Sequence, residues 1–349
     1  MIVNIQILRA LAALMVVFVH CAILVAPIGI PLHVVESFAS GVDLFFVISG
    51  FIIVQTTQKQ PITPWSFMLN RIARVVPLYW LLTILTFAIA LFFPNVLGGT
   101  KAVFSYLFKS LFFIPYVRED GSIRPILFLG WSLNYEMFFY VIFALGLFLQ
   151  SPLRRAIAVG ASILGLVVIG QLSGHNMSAE AYIWTGPIMI EFVMGVAIGT
   201  FYAHLPASRQ AALVGLVLSP LFLVMLILSS WLLPDMATII RAPAAAGLLI
   251  CALLMERGGL AIKSRPLVLL GDASYALYLT HPFVAQGITK FAVDLHILNS
   301  ATSILFVIAI YALACTVAVL VFKYVERPLT RATRRAFGIS RQLVPVRGL

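Results

Sequence analysis

Charge is scarce in this sequence. Only 10% of its 349 residues are charged and just 12 are aspartate or glutamate, while 62% are hydrophobic and the mean hydropathy is +1.07. A water-soluble chain of this length cannot hide so much apolar side chain, so a soluble enzyme is excluded. Cysteine is scarce too. Cys21, Cys251 and Cys315 all fall in apolar runs and share no ligand spacing, which excludes a disulfide framework and leaves no metal site to expect. There is no internal repeat and no stretch with the composition of a soluble domain. What is present is a succession of apolar runs of about twenty residues joined by short polar connections. That pattern predicts an all-α integral membrane protein, a polytopic bundle of about ten transmembrane helices, because only helices of this length satisfy their own backbone in lipid.

The expected spans are 5–26, 38–55, 76–93, 126–150, 155–172, 182–203, 211–232, 238–255, 272–293 and 301–323. The net charge of +11 follows this topology and gives no reason to expect a nucleic-acid partner. If the N-terminus is cytoplasmic, sixteen of the 23 Lys and Arg, among them Lys59, Arg71, Arg74, Arg341 and Arg347, lie in inner loops and the tail. The excess of inner positive charge predicts that both termini are cytoplasmic. The first span is not expected to be a cleaved signal peptide, since it is long, contains Arg9 and is followed by Ala26-Pro27-Ile28. The connection 94–125 contains an apolar run, 103–116, interrupted by Lys109 and read as an outer-face lid or re-entrant helix. The Arg-rich segment 331–349 reads as a solvated tail in contact with lipid headgroups.

Several polar groups sit inside apolar runs, where they are costly and therefore candidates for function. Arg9 and His20 are eleven residues apart, close to three helical turns and about 16 Å, so they share one face of the first helix at different depths. Asp43, in Gly41-Val42-Asp43-Leu44-Phe45-Phe46-Val47-Ile48-Ser49-Gly50-Phe51, falls at the depth of His20. It either caps a helix start or holds one imidazole nitrogen and raises the basicity of the other. Arg71 and Arg74, one turn apart, can grip phosphate oxygens bidentately. Glu136, in Gly130-Trp131-Ser132-Leu133-Asn134-Tyr135-Glu136, is either catalytic or a neutral helix-to-helix contact. Glu191 and His281 are read first as bundle contacts and second as chemistry, and Arg241 as neutralising one of the acids or binding an anionic acceptor. His33, His175, His204 and His296 carry no assigned role.

Taken together, the Arg9–His20 spacing, the Gly41–Phe51 run, the Arg71/Arg74 pair, Gly130-Trp131-Ser132-Leu133-Asn134-Tyr135-Glu136 and Ser274-Tyr275-Ala276-Leu277-Tyr278-Leu279-Thr280-His281 resemble, in the same order, the membrane acyltransferase-3 family. The Asn4-Ile5-Gln6-Ile7-Leu8-Arg9-Ala10 start resembles its exopolysaccharide-production, ExoZ-like branch. The resemblance runs to about Arg327 and implies a transmembrane acyltransferase domain over 1–330. It implies a bacterial inner-membrane enzyme that moves an acyl group, usually acetyl from acetyl-CoA, to a sugar hydroxyl of a surface or secreted glycan such as an exopolysaccharide or the O-antigen of lipopolysaccharide. It places the catalytic histidine at His20, its paired arginine at Arg9 and an Arg-x-x-Arg motif at Arg71 and Arg74.

The expected partners are accordingly acyl-CoA, a polysaccharide or lipid-linked glycan and membrane lipids, with a polysaccharide-synthesis complex compatible with all of them. CoA phosphates would dock at Arg71 and Arg74 while the pantetheine arm reaches His20, acting as general base or acyl carrier, with Arg9 and Glu136 lining the way. The competing reading is a proton-coupled transporter or glycan flippase with Asp43, Glu136, Glu191 and His281 as a relay.

Overall fold

A computed structural model describes residues 2–58, 62–93, 97, 100–174, 177–232 and 237–339. Pro94, at the start of the 94–125 connection, lies outside the described residues, as do Lys59, His175, Arg341, Arg347 and the rest of the tail from 340. All regular structure among the described residues is helical. The α-helices are α1 (Val3–Val19), α2 (Ala22–Val25), α3 (Leu32–Ser37), α4 (Gly41–Gln58), α5 (Pro64–Phe92), α6 (Phe104–Leu111), α7 (Gly130–Gly146) and α8 (Pro152–Ser173). They continue as α9 (Ala179–Trp184), α10 (Ile190–Phe201), α11 (Arg209–Leu232), α12 (Ala237–Arg257), α13 (Arg265–Asp272), α14 (Ser274–Asp294), α15 (Ser300–Val321) and α16 (Arg327–Ala336).

Among the described residues, seven stretches are long and apolar enough to cross a membrane, or eight when the bent pair Val3–Val19 and Ala22–Ile28 is one span. Outward faces of α8, α11 and α15 present exposed Leu172, Val217 and Leu305, which suits lipid and not water. The chain is a multi-pass membrane protein. Two of the ten expected spans fall short of that length and apolarity. Helix α7 has 17 residues, and α14 carries Thr280, His281, Gln286, Thr289, Lys290 and Asp294 along its length.

Three boundaries differ from the sequence expectation, each for a local reason. The first span is not one straight helix. Amides of His20 and Cys21 bond to carbonyls three residues back, Val17 O at 3.1 Å and Phe18 O at 2.9 Å, which tightens and ends α1. His20 itself has φ −84° and ψ 3°, and the chain resumes at 69° to α1. The third span begins at Pro64 because Thr63 caps it, accepting the Ser66 amide at 3.1 Å, so Arg71 and Arg74 lie well inside α5. After α15 a π-helical turn over Phe322–Glu326 leads straight into α16, so helix continues across residue 330 to Ala336.

The inner bundle depends on backbone-to-backbone approach. With no water to expel between helices in lipid, close packing through small residues is what joins them. Helices α4 and α10 cross at Gly50 and Gly195, where a Cβ on Gly195 would lie 2.1 Å from the Val47 carbonyl oxygen and one on Gly50 2.3 Å from that of Phe192. Phe46 and Phe192 stack beside the crossing at 4.4 Å between centroids. Helix α13 meets α1 in the same way, with a Cβ on Gly271 falling 2.1 Å from Gln6 O. The start of α1 is held by Glu256 at the end of α12, whose carboxylate accepts the amides of Val3 and Asn4 at 2.7 and 2.6 Å.

Gly165, on the lipid side of α8, has nothing within 4 Å of an added Cβ. Gly195→Ala is therefore expected to destabilise the folded protein by about 1–3 kcal/mol through overpacking. Gly165→Ala should leave it unchanged or about 0.5–1 kcal/mol more stable. Denaturant midpoints of the two variants in detergent check the opposite signs.

Candidate active site

The break after α1 sets the first group of residues. By ending the helix at His20, the chain turns this half-buried imidazole toward α14. Its ring centroid lies 4.9 Å from that of His281 and 5.4 Å from that of Phe128, just before α7. His281 is fully buried, with Nδ1 3.0 Å from the Leu277 carbonyl one turn back. A carbonyl only accepts, so Nδ1 carries a proton, and in the neutral ring Nε2 keeps its lone pair. That Nε2 has no hydrogen-bond partner among the described residues. Tyr278, also on α14, pins this face to α7: its hydroxyl lies 2.7 Å from Ser132 Oγ and donates to Leu129 O at 3.2 Å. Ser132 thus ties the Gly130-Trp131-Ser132 turn to the histidine helix.

A second group gathers toward the other end of α1. Arg9 is half-buried, donates to Gln6 Oε1 at 3.2 Å and lies within electrostatic reach of Arg74, Asp272, Glu326 and Glu136. Arg74 is ion-paired with the buried Glu326 of the π-helical turn and sits 5.7 Å over the Tyr275 ring. Arg71 takes a different environment, 5.6 Å over Phe67 and 6.0 Å over Tyr140, with a buried Nε that has no hydrogen-bond partner among the described residues. Glu136 accepts from Ser49 Oγ at 2.9 Å and from the Tyr140 hydroxyl. Arg334 of α16 is within electrostatic reach of both Arg71 and Arg74. Arginines are thus concentrated here, and of the Arg71/Arg74 pair only Arg71 lacks a carboxylate partner among the described contacts.

Asp43 does not join His20. It is buried against Glu191, within electrostatic reach of Arg241 on α12. Two ionised carboxylates cannot hydrogen-bond each other, so the Asp43–Glu191 contact is a bond only when one of them carries a proton. The expected Asp43–His20 pair fails for two structural reasons. The bend after α1 aims His20 at α14, and the glycine crossing draws Glu191 of α10 onto Asp43 of α4. The four groups of the proton-relay reading consequently stand in three separate places: Asp43 with Glu191, Glu136 with Ser49 and Tyr140, and His281 with His20.

Glu326, Asp272 and Glu256 escaped the sequence reading. Glu326 and Glu256 each lie beside a basic residue, at Glu326-Arg327 and Glu256-Arg257, and Asp272 stands at the edge of the apolar run expected at 272–293, where an acid reads as ordinary loop polarity. No group of three His, Cys, Asp or Glu among the described residues could hold a metal ion.

The site can do two things chemically. A half-buried imidazole facing a second one can take up a proton or act as a nucleophile. Arg9, about 16 Å back along α1, and the arginines of α5 and α16 gathered near it can hold the anionic end of a long substrate.

Comparison with known proteins is consistent along the whole chain. Residues 2–323 match the family described as acyltransferase domain. The exopolysaccharide production protein ExoZ of Rhizobium meliloti is 33% identical over 299 residues, covering 85% of this chain and 90% of that protein. O-acetyltransferase OatA of Staphylococcus aureus is 25% identical over 335 residues, covering 85% of this chain and 53% of that one, so the chain spans about half the length of OatA. No solved structure matches significantly. The family match across nearly the full chain, with an ExoZ relative aligned over most of both sequences, means that this chain belongs to the acyltransferase-3 family of membrane acyltransferases.

Proposed function

We propose that this protein transfers an acyl group, acetyl in the first instance, from acyl-CoA to a sugar hydroxyl of an exopolysaccharide, O-antigen or related surface glycan in the bacterial inner membrane. The observation that carries the proposal is the placement of His20. It is a half-buried imidazole at a helix break, facing His281, about three turns from Arg9 on α1, around which Arg74, Arg71 and Arg334 of other helices gather. ExoZ and OatA, by their names an exopolysaccharide protein and an O-acetyltransferase, support a glycan acceptor and an acetyl group.

In this reading all ten apolar runs cross the membrane with both termini cytoplasmic. CoA phosphates dock at Arg71, the arginine of the pair without a carboxylate partner, with Arg74 and Arg9 close by, and the pantetheine arm follows α1 toward His20. Glu136 lines this route. As general base, His20 takes the proton from the sugar hydroxyl while its oxygen attacks the thioester carbonyl. The C–S bond breaks, the O-acyl bond forms, and the proton passes to the CoA thiolate. As acyl carrier, His20 itself attacks the thioester carbonyl and expels the CoA thiolate; the sugar oxygen then displaces the imidazole from the acyl carbon while the hydroxyl proton passes to the thiolate. His281 holds the geometry of His20 in both routes, and the Asp43–Glu191–Arg241 group holds α4, α10 and α12 together.

Purified membranes given radiolabelled acetyl-CoA and glycan extract should incorporate base-labile label into glycan. His20→Ala should reduce the rate about 10²–10⁴-fold while leaving the unfolding midpoint in detergent unchanged. If the protein instead moves glycan in response to a proton gradient and that movement survives His20→Ala, it is a transporter. Arg71→Ala should raise KM for acetyl-CoA about 10–100-fold, the loss of one charge-assisted contact, with kcat little changed in steady-state kinetics. An unaltered KM would remove Arg71 from the donor site.

A further inference from the structure

Beyond the bundle, residues 101–126 build a lobe whose cavity has no role in the account so far. The cavity measures about 300 Å³ and is lined by Lys101, Tyr106, Arg118, Glu119, Asp120 and Ile126, a volume at the lower end of ligand sites. The lobe is cross-braced. Arg118 donates through Nε to Arg124 O at 2.9 Å and through Nη2 to the carbonyls of Pro125 and Ile126. Ser110 Oγ accepts the Ile126 amide at 2.9 Å, and Tyr79 donates to Ser110 O at 3.1 Å. Phe113 holds a left-handed backbone, φ 57°, and stacks on Tyr79 at 4.9 Å. For a bulky residue that conformation is costly and persists only where its surroundings enforce it.

The lobe is placed to meet a substrate from outside the bilayer. Phe104, Phe108 and Phe112 recur every four residues on α6 and its end and are all exposed, an apolar ridge suited to the membrane surface. Tyr106 is about 200° around the helix from Phe104 and so projects from the opposite side. Its ring stacks on Tyr116 at 4.7 Å. Ile126, in the cavity wall, is two residues from Phe128, whose ring packs on His20. The lobe lies beyond the half of α5 that holds Arg71 and Arg74, on the side away from the arginine cluster, since Trp80 donates to Leu111 O and Phe87 packs on Phe104.

We infer that this cavity is the acceptor subsite and that it binds a neutral hexose unit of a glycan. The inference rests on the acyl-transfer reading and names where its second substrate sits. The lining points to the ligand class. Two cations and two carboxylates balance, with Lys101 already paired to Glu119, so a phosphate or uronate gains little there. Arg118 Nε and Nη2 and Asp120 Oδ1 are already bonded within the lobe, so the hydroxyl edge of a pyranose would be met by Asp120 Oδ2, Arg118 Nη1 and the Lys101–Glu119 pair, and its apolar face by the side of Tyr106 turned from Tyr116. A hexose seated on Tyr106 would be separated from His20 by the short segment from Ile126 to Phe128, so a neighbouring unit of the same glycan presents its hydroxyl to the imidazole.

The test uses the full-length protein in nanodiscs with cellobiose as probe, read by saturation-transfer NMR and by titration. Cellobiose is expected to bind the wild type and equally the His20→Ala variant. Tyr106→Ala should weaken it about tenfold or more, Glu119→Gln should weaken it measurably, and Tyr106→Phe should retain it. Binding that is absent in the wild type, unchanged in Tyr106→Ala, or weaker than that of glucose 1-phosphate would overturn the inference. The two readings fail separately. Cellobiose binding as described with no acetyl transfer to any glycan would sink the transfer reading and keep the subsite. Transfer with an acceptor KM indifferent to Tyr106→Ala would do the reverse.

Discussion

A polar side chain in hydrocarbon has no water to turn to, so every ionisable group carried into this bundle must be met by another part of the protein. The arrangement of the chain follows from that constraint. Arg74 is met by Glu326, the α1 amides by Glu256, Glu136 by Ser49 and Tyr140, and Asp43 by Glu191. Several buried polar atoms stand outside such pairings, among them Asn134 Oδ1, Ser274 Oγ and Arg334 Nε. His281 Nε2 and Arg71 Nε are buried without a hydrogen-bond partner among the described residues. One faces the imidazole of His20 and the other borders the arginine cluster. Under the acyl-transfer proposal these two border the route of the substrates, where a bound ligand would meet them.

Close helix contacts make the pairings possible. The Gly50–Gly195 crossing brings two backbones near enough for Asp43 and Glu191 to touch, and the Gly271 contact seats α13, with Asp272 at its end, against the Arg9 turn of α1. These glycines act at a distance from the chemistry, by fixing which helix faces which. The end of α1 at His20 adds directional control. A straight helix would have carried the imidazole on along the axis of α1, whereas the bend delivers it to α14.

Much of this was legible in the sequence. The apolar runs are largely helical, seven or eight of them among the described residues long and apolar enough to span; Arg9, His20 and Glu136 stand out as ionisable residues in apolar runs, and Arg71 and Arg74 as two arginines one helical turn apart. Partners were harder to read. Glu326 is 252 residues from Arg74 and His281 is far along the chain from His20, so neither pairing follows from local spacing. The Asp43–His20 expectation rested on equal depth, which constrains height in the membrane and says nothing about azimuth. The bend after Val19 has no proline or glycine to announce it. Thr63 and Pro64 carry the start signal of α5, whereas the apolar run of the third span begins only at 76, so Arg71 and Arg74 read as loop residues where the helix has already begun.

The central claim is that a donor held at the arginine cluster serves a reaction at His20, nearer the opposite face. The most direct test is sidedness. Protein is reconstituted in sealed vesicles of known orientation, with glycan trapped inside and radiolabelled acetyl-CoA supplied outside to the arginine face. The account predicts label on the enclosed glycan in these vesicles and none in vesicles of the reversed orientation. Labelling only when donor and acceptor share one side of the membrane would contradict it.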